Sequence, residues 1–247
     1  MIRKNKPAAG VNTLDYCYGQ TELGYLCAKD KKLGAAIARI GPLQRSVDGD
    51  LFASIVNIII GQQITAAAQN TIWARLCAKA GAITPQNLCT LTRDEVQAAG
   101  VSYKKADFIK ELAAKVQSGQ FDLNALWALP DEEVIQRLCT LNGIGVWTAE
   151  MLLIFSMQRP NVVSFGDLAI RRGMRMLYRH RSLTKQQFAR YAKRYAPYGT
   201  VASFYLWAIS AGALPELTDP ALKAKPKTKK MVTHHDGAAK MAGGAAL

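Results

Sequence analysis

Two carboxylates, Glu150 and Asp167, are the only acids between Glu133 and Glu216, in a stretch that also holds eleven lysines or arginines. A lone carboxylate in a basic field is suited to chemistry on a polyanion, because the field gathers phosphate and the carboxylate is left to act on a developing positive charge. The string Leu-Asn-Gly-Ile-Gly-Val-Trp-Thr-Ala at 141–149 precedes Asp167, with Trp147 twenty residues before it. Asn142 and Gly143 tolerate the positive φ of a tight turn. Gly145 leaves room for a phosphate against the main chain, and the helix that follows points its first unpaired N–H groups and its dipole at the turn. Gly143, Gly145, Trp147 and Thr148 are therefore candidate contacts to a nucleic-acid backbone. Asp167, directly before Leu168-Ala169-Ile170, is suited to capping a helix, and a cap is a rigid mount for a catalytic group.

Net charge is +14, and residues 215–247 account for only +3 of it, so the basic surplus lies on the folded body. That surplus favours phosphate binding with release of counterions. Apolar residues make up 49% and charged residues 20% of the chain, as in an ordinary globular protein. No apolar run approaches the roughly 18 residues of a membrane span, and the basic N-terminus has no apolar segment behind it. These features predict no membrane partner, and a cytoplasmic, nucleoid-associated protein if the source is bacterial or a nuclear one if it is eukaryotic. The five cysteines are scattered without a C-x-x-C pair, against zinc or iron–sulfur ligation. No G-x-G-x-x-G or P-loop is present, so no nucleotide cofactor is expected.

The elements that must position these residues read as helices. Amphipathic periodicity predicts helices over 20–29, 32–40, 50–61, 65–80, 92–98, 102–117, 131–140, 147–157, 168–179, 184–195 and 199–212, with a short one opening at Thr84-Pro85 and no strand. Gly41, Gly81 and Gly119 are expected to end helices. This is an all-α domain of about ten helices, with neighbours packed on one another through short linkers. From Pro215 onward the composition turns to Lys, Ala and Gly, and 215–247 is predicted to be a disordered basic tail. The expected organisation is an N-terminal extension over 1–19, one domain over 20–214, and that tail.

The string at 141–149 with Asp167 resembles the helix–hairpin–helix (HhH-GPD) DNA glycosylase superfamily, in its 3-methyladenine DNA glycosylase II branch. Further matches are IIIGQQIT at 58–65, VSYKKADFI at 101–109 and PYGTVASFYLWA at 197–208, and the resemblance spans roughly 30–212. It implies a two-lobed helical fold with the active site in the cleft between lobes, without the β-rich domain that precedes the helical core in some relatives. It implies a base-excision repair enzyme that flips an alkylated purine, of the 3-methyladenine or 7-methylguanine type, out of double-stranded DNA and hydrolyses its glycosidic bond.

By that resemblance Asp167 is the catalytic carboxylate. Trp147 and Trp207 are base-pocket aromatics whose faces attract a cationic base, with Met151 and Gln62 as further candidates around them and Tyr205 as a neighbouring candidate without a motif match. Met151 departs from a position that is often aromatic in the family. Gln63 matches the wedge that fills the gap left by the flipped base. Family members that also cleave the strand carry a lysine two residues after the hairpin's last glycine. Here that residue is Trp147, which implies a monofunctional enzyme using water. The main-chain carbonyls of Cys139, Leu141 and Ile144 match those that bind a monovalent cation, Na+ or K+; no cofactor is otherwise required. Lys104, Lys105, Arg171, Arg172 and Arg175 are candidate phosphate contacts. Tyr16 and Tyr18 in the segment 7–19 either pack on the core or line the pocket. A monomer is expected. Two alternatives stay open: a non-catalytic helix–hairpin–helix module that senses damage, and a glycosylase of other base specificity.

Overall fold

The computed structural model describes residues 13–221. Twelve α-helices account for most of them: α1 (Gln20–Lys29), α2 (Lys31–Ile40), α3 (Leu51–Gly61), α4 (Ala66–Ala80), α5 (Pro85–Thr90), α6 (Arg93–Gln97), α7 (Tyr103–Gln117), α8 (Asp131–Leu138), α9 (Val146–Phe155), α10 (Leu168–Tyr178), α11 (Lys185–Tyr195) and α12 (Gly199–Ser210). Each expected helix is present within one or two residues of its predicted ends. The reason is local. Asp50, Thr65, Thr84, Thr92, Ser102, Asp167 and Thr184 each accept a backbone N–H of their own helix's first turn, satisfying donors that would otherwise lack partners.

The expectation of no strand is corrected in one place. Thr13–Asp15 and Ser46–Asp48 form an antiparallel pair, β1 and β2, with Leu14 opposite Val47. Three residues are too few for alternation to be recognised in a sequence.

The helices form two lobes. In one, α3 packs on α4, α7 and α9, while α7 also receives α5 and α6. In the other, α10 and α12 cross closely and are joined by α1, α2 and α11. A Cβ at Gly173 of α10 would lie 2.0 Å from the Leu206 carbonyl oxygen of α12, so only glycine permits this crossing. The first two helices thus join the last three, so the expectation that sequence neighbours pack together fails at the α2–α3 connection.

Asp30 fastens that long-range arrangement. Its Oδ1 caps α2 through the N–H groups of Lys32 and Leu33, and its Oδ2 accepts from the Tyr178 hydroxyl and Arg194.

The folded body is longer than expected at both ends. Tyr16 is buried edge-on against Phe204 with ring centroids 5.0 Å apart, and Tyr18 bonds the Leu43 backbone. Of the two alternatives, core packing holds for Tyr16 and Tyr18. Downstream, Asp219 is buried and bonds Arg175, and Glu216 pairs with Arg39. Residues 215–221 are therefore part of the body. The rest of the predicted tail, 222–247, and residues 1–12 lie outside the described residues. No described helix is long and apolar enough to cross a membrane.

Candidate active site

Asp167 caps α10 and is only 7% exposed. Its Oδ1 accepts the Ile170 N–H at 2.8 Å and the Trp207 indole N–H at 3.0 Å. Its Oδ2 accepts the Trp147 indole N–H at 3.0 Å. Trp147 comes from α9 in one lobe and Trp207 from α12 in the other, so the carboxylate sits where the lobes meet. No described lysine or arginine forms an ion pair with it. Three N–H donors fix its orientation, while Oδ2 keeps acceptor capacity for a further partner.

Behind Asp167 lies a relay that the sequence did not reveal. The Asp167 backbone N–H donates to Ser164 Oγ at 3.2 Å, and Ser164 O–H donates to the Glu150 carboxylate. Burial, and then the charge of Asp167, push the Glu150 pKa up, against the lowering effect of the Ser164 bond. A serine three residues before the capping aspartate is the one signal that could have disclosed Ser164, since serine hydroxyls commonly accept from a backbone N–H a few residues on.

The two tryptophans differ in setting. Trp147 is 47% exposed, beside the exposed side chains of Val146 and Leu168. Trp207 stacks on Phe155, with ring centroids 5.6 Å apart and planes 22° apart, and leans on Phe204 at 6.1 Å. Met151 is buried one turn beyond Trp147. Two of the expected pocket residues are placed otherwise. Tyr205 is fully buried and donates to the Gly41 carbonyl, because two residues along a helix from Trp207 it points toward α2. The Gln62 amide is spent on the Gly143 carbonyl at 2.7 Å, tying the end of α3 to the hairpin.

The hairpin runs from Cys139 to Gly145 between α8 and α9. Gly143 has φ +86, and a Cβ there would lie 2.6 Å from the Phe108 ring, so glycine is required on two grounds. At Gly145 a Cβ would meet nothing within 4 Å, and α9 has no side-chain cap. The N–H groups at its start are left for another acceptor. Among the described residues the carbonyls of Cys139 and Ile144 accept no hydrogen bond, and that of Leu141 accepts only the Ile144 N–H. These oxygens suit a hard monovalent cation.

Gln63 follows α3 with φ +58, an uncommon conformation for a residue other than glycine, and is exposed next to half-exposed Ile64. Lys105 holds this turn from beneath by donating to the carbonyls of Ile60 and Gln62. It is therefore a helix C-cap and is removed from the candidate phosphate contacts; burial lowers its pKa. Arg175 is also removed, since it forms a forked pair with Asp219, and Arg172 Nε lies 3.7 Å from the same carboxylate. Lys104 is exposed over the Phe108 ring beside the hairpin, and the Arg171 guanidinium lies over Phe165.

A hairpin with an uncapped helix, a clamped aspartate and a strained turn before α4 define a helix–hairpin–helix protein of the base-excision type. Residues 56–197 match the HhH-GPD superfamily of base excision DNA repair proteins, and the chain belongs to that family. It is 31% identical over 202 residues to DNA-3-methyladenine glycosylase 1 of Schizosaccharomyces pombe, covering 80% of this chain and 86% of that one. Among solved structures it resembles a DNA-3-methyladenine glycosidase from Bacillus halodurans, with TM-score 0.72 and 31% identity over 81% of this chain and 92% of the other. It also resembles the S. pombe 3-methyladenine DNA glycosylase in complex with abasic DNA, with TM-score 0.68 and 29% identity over 80% and 99% of the two chains.

Proposed function

We propose that this protein excises alkylated purines from duplex DNA, hydrolysing the bond between the base and C1′ and leaving an abasic site. The observation that carries this reading is the Asp167 carboxylate, buried between two indole N–H groups at the meeting of the lobes and free of any ion pair. The relatives' names support the substrate class. As the glycosidic bond breaks, its electron pair leaves with the base and positive charge spreads over C1′ and the ring oxygen. A fixed carboxylate lowers the energy of that state, an effect worth about 3 kcal/mol for a single well-placed group. Water adds to C1′ on the face toward Asp167, and its proton passes to Oδ2 and then to solvent. Alkylation makes the departing base cationic, which weakens its bond and favours a site walled by indole rings.

The remaining roles follow from position. Gly143, Gly145 and Thr148 bring main-chain N–H groups to a phosphate, with Lys104 and Arg171 alongside. Gln63 fills the gap in the stack. Cys139, Leu141 and Ile144 would hold a Na+ or K+, whose charge draws a phosphate to the hairpin. Trp147 stands where a nucleophilic lysine would be needed for strand cleavage, so the reaction ends at the abasic site, as in the 3-methyladenine glycosylase II type. One chain suffices, because every proposed group lies on it.

The test is to incubate the protein with methylated duplex DNA and separate the released bases by chromatography. Release of 3-methyladenine or 7-methylguanine is expected. Tight binding without release would instead make the protein a damage-sensing module, and release of uracil or a mismatched base alone would move its specificity.

A further inference from the structure

A groove of about 1280 Å³ lies away from Asp167. It lies at the start of α3, the end of α4 and the end of α7. The proposed DNA-binding turn is at the opposite ends of the same helices, after Gly61 and before Ala66. Eleven residues of α3 separate the two places, about 16 Å at the helical rise.

The groove's walls carry Trp73, Phe121 and Trp127, the last 46% exposed, and three carboxylates, Asp48, Asp50 and Asp122. No lysine or arginine lines it, although the chain holds 32 of them against 18 acids. Each of the three aspartates uses Oδ1 locally: Asp48 accepts from Asp50 N–H, Asp50 caps α3, and Asp122 accepts from Asn124 and Ala125. Their Oδ2 atoms have no partner among the described residues. Six other described acids, Asp30, Asp107, Glu111, Asp131, Glu216 and Asp219, pair with a basic side chain, whereas these three, like eight further described acids elsewhere on the chain, do not. Three unneutralised acids therefore converge on one aromatic groove of a strongly basic protein.

We propose that this groove docks a basic segment of a partner protein, in which lysines or arginines alternate with a large apolar side chain. Aromatic walls receive the apolar anchor, and the carboxylates select and steer the cationic flanks. The same charges repel DNA, so the two faces take different ligands, and docking proceeds while the hairpin holds a duplex. The proposal rests on the DNA-glycosylase reading only for the role of that second face.

The probe is an acetylated, amidated decapeptide of alternating lysine and leucine, titrated into the isotope-labelled full chain. Its counterpart carries glutamate for every lysine. Saturable shifts of the Trp127 indole and Asn124 amide signals are expected with the lysine peptide alone. The double variant Asp48→Asn, Asp122→Asn keeps the local acceptors. It is expected to bind the lysine peptide roughly tenfold more weakly, while releasing bases from methylated DNA as the wild type does. Equal shifts from both peptides, shifts confined to the hairpin, shifts at the groove on adding duplex DNA, or unchanged binding in the double variant would each overturn the proposal. Absence of base release from the wild type would instead overturn the glycosylase reading, leaving the titration to stand by itself.

Discussion

The Trp207 indole N–H donates to Asp167 Oδ1 across 3.0 Å, joining α12 to the first turn of α10. With the matching bond from Trp147, it turns a helix cap into a carboxylate clamped from both lobes. The edge of each tryptophan orients the acid, and on the proposed function its face would line the base site.

Replacing Asp167 with Asn keeps an acceptor for Ile170 and removes the charge. Single-turnover release of 7-methylguanine is expected to fall by roughly a hundredfold or more, the scale of one well-placed transition-state charge, with duplex affinity changed little. Full activity in Asp167→Asn would remove the carboxylate from the reaction.

Trp207→Phe keeps a ring on the Phe155 stack and deletes one bond to Asp167. The chemical step should slow by roughly tenfold, the loss of a hydrogen bond to a charged group, with little change in substrate affinity. An unchanged rate would mean that the bonds from Ile170 and Trp147 suffice to orient the acid.

At Gly143, alanine would force both a positive φ and a Cβ into Phe108. A loss of about 1–3 kcal/mol in stability is expected, read by denaturant unfolding. Because the hairpin positions the backbone, the salt dependence of duplex binding should become shallower in the same variant.

Gln63 gives the opposite trade. Glycine relieves its left-handed φ, so stability should hold or rise by up to about 1 kcal/mol. Excision from duplex should fall because nothing fills the vacated stack. A variant as active as the wild type would show that Ile64 or another group is the wedge.

Glu150 sets a pH dependence. Burial, then the Asp167 charge, raises its folded pKa above the usual carboxylate value of 4.5. The folded state therefore binds more protons than the unfolded one between those two values, and stability falls as pH rises through that window. Glu150→Gln should remove this part of the slope in a series of melting curves, and still accept the Ser164 hydroxyl. Parallel slopes in the two proteins would show that Glu150 is not the group responsible.

Helix extents were legible in the sequence because their causes lie within a few residues: an apolar period of 3.6 and a capping oxygen three residues from the N–H it accepts. The hairpin was legible for the same reason, since glycine is favoured where φ is positive and needed where the backbone also approaches a ring. Asp167, Trp147 and Trp207 were picked out by motif, but the bonds among them were not, since they connect residues twenty and forty positions apart.

Charge was the least legible feature. The sequence counts arginines without showing which are already paired, and Arg175 and Arg172 proved to face Asp219, a residue expected to lie in a tail. Tyr205 was misplaced because α12 is buried on nearly every side, so no polar face indicates which way a given side chain points.

The order of residues alone determined the helical class, the basic surplus and the one acid suited to the chemistry, because these depend on composition and short spacing. Tertiary structure decided that α1 and α2 join α10 to α12, that Lys105 caps a helix, and that three aspartates share a groove far from the hairpin. Contacts between distant segments are selected by the packing of the whole chain, and no local pattern encodes them.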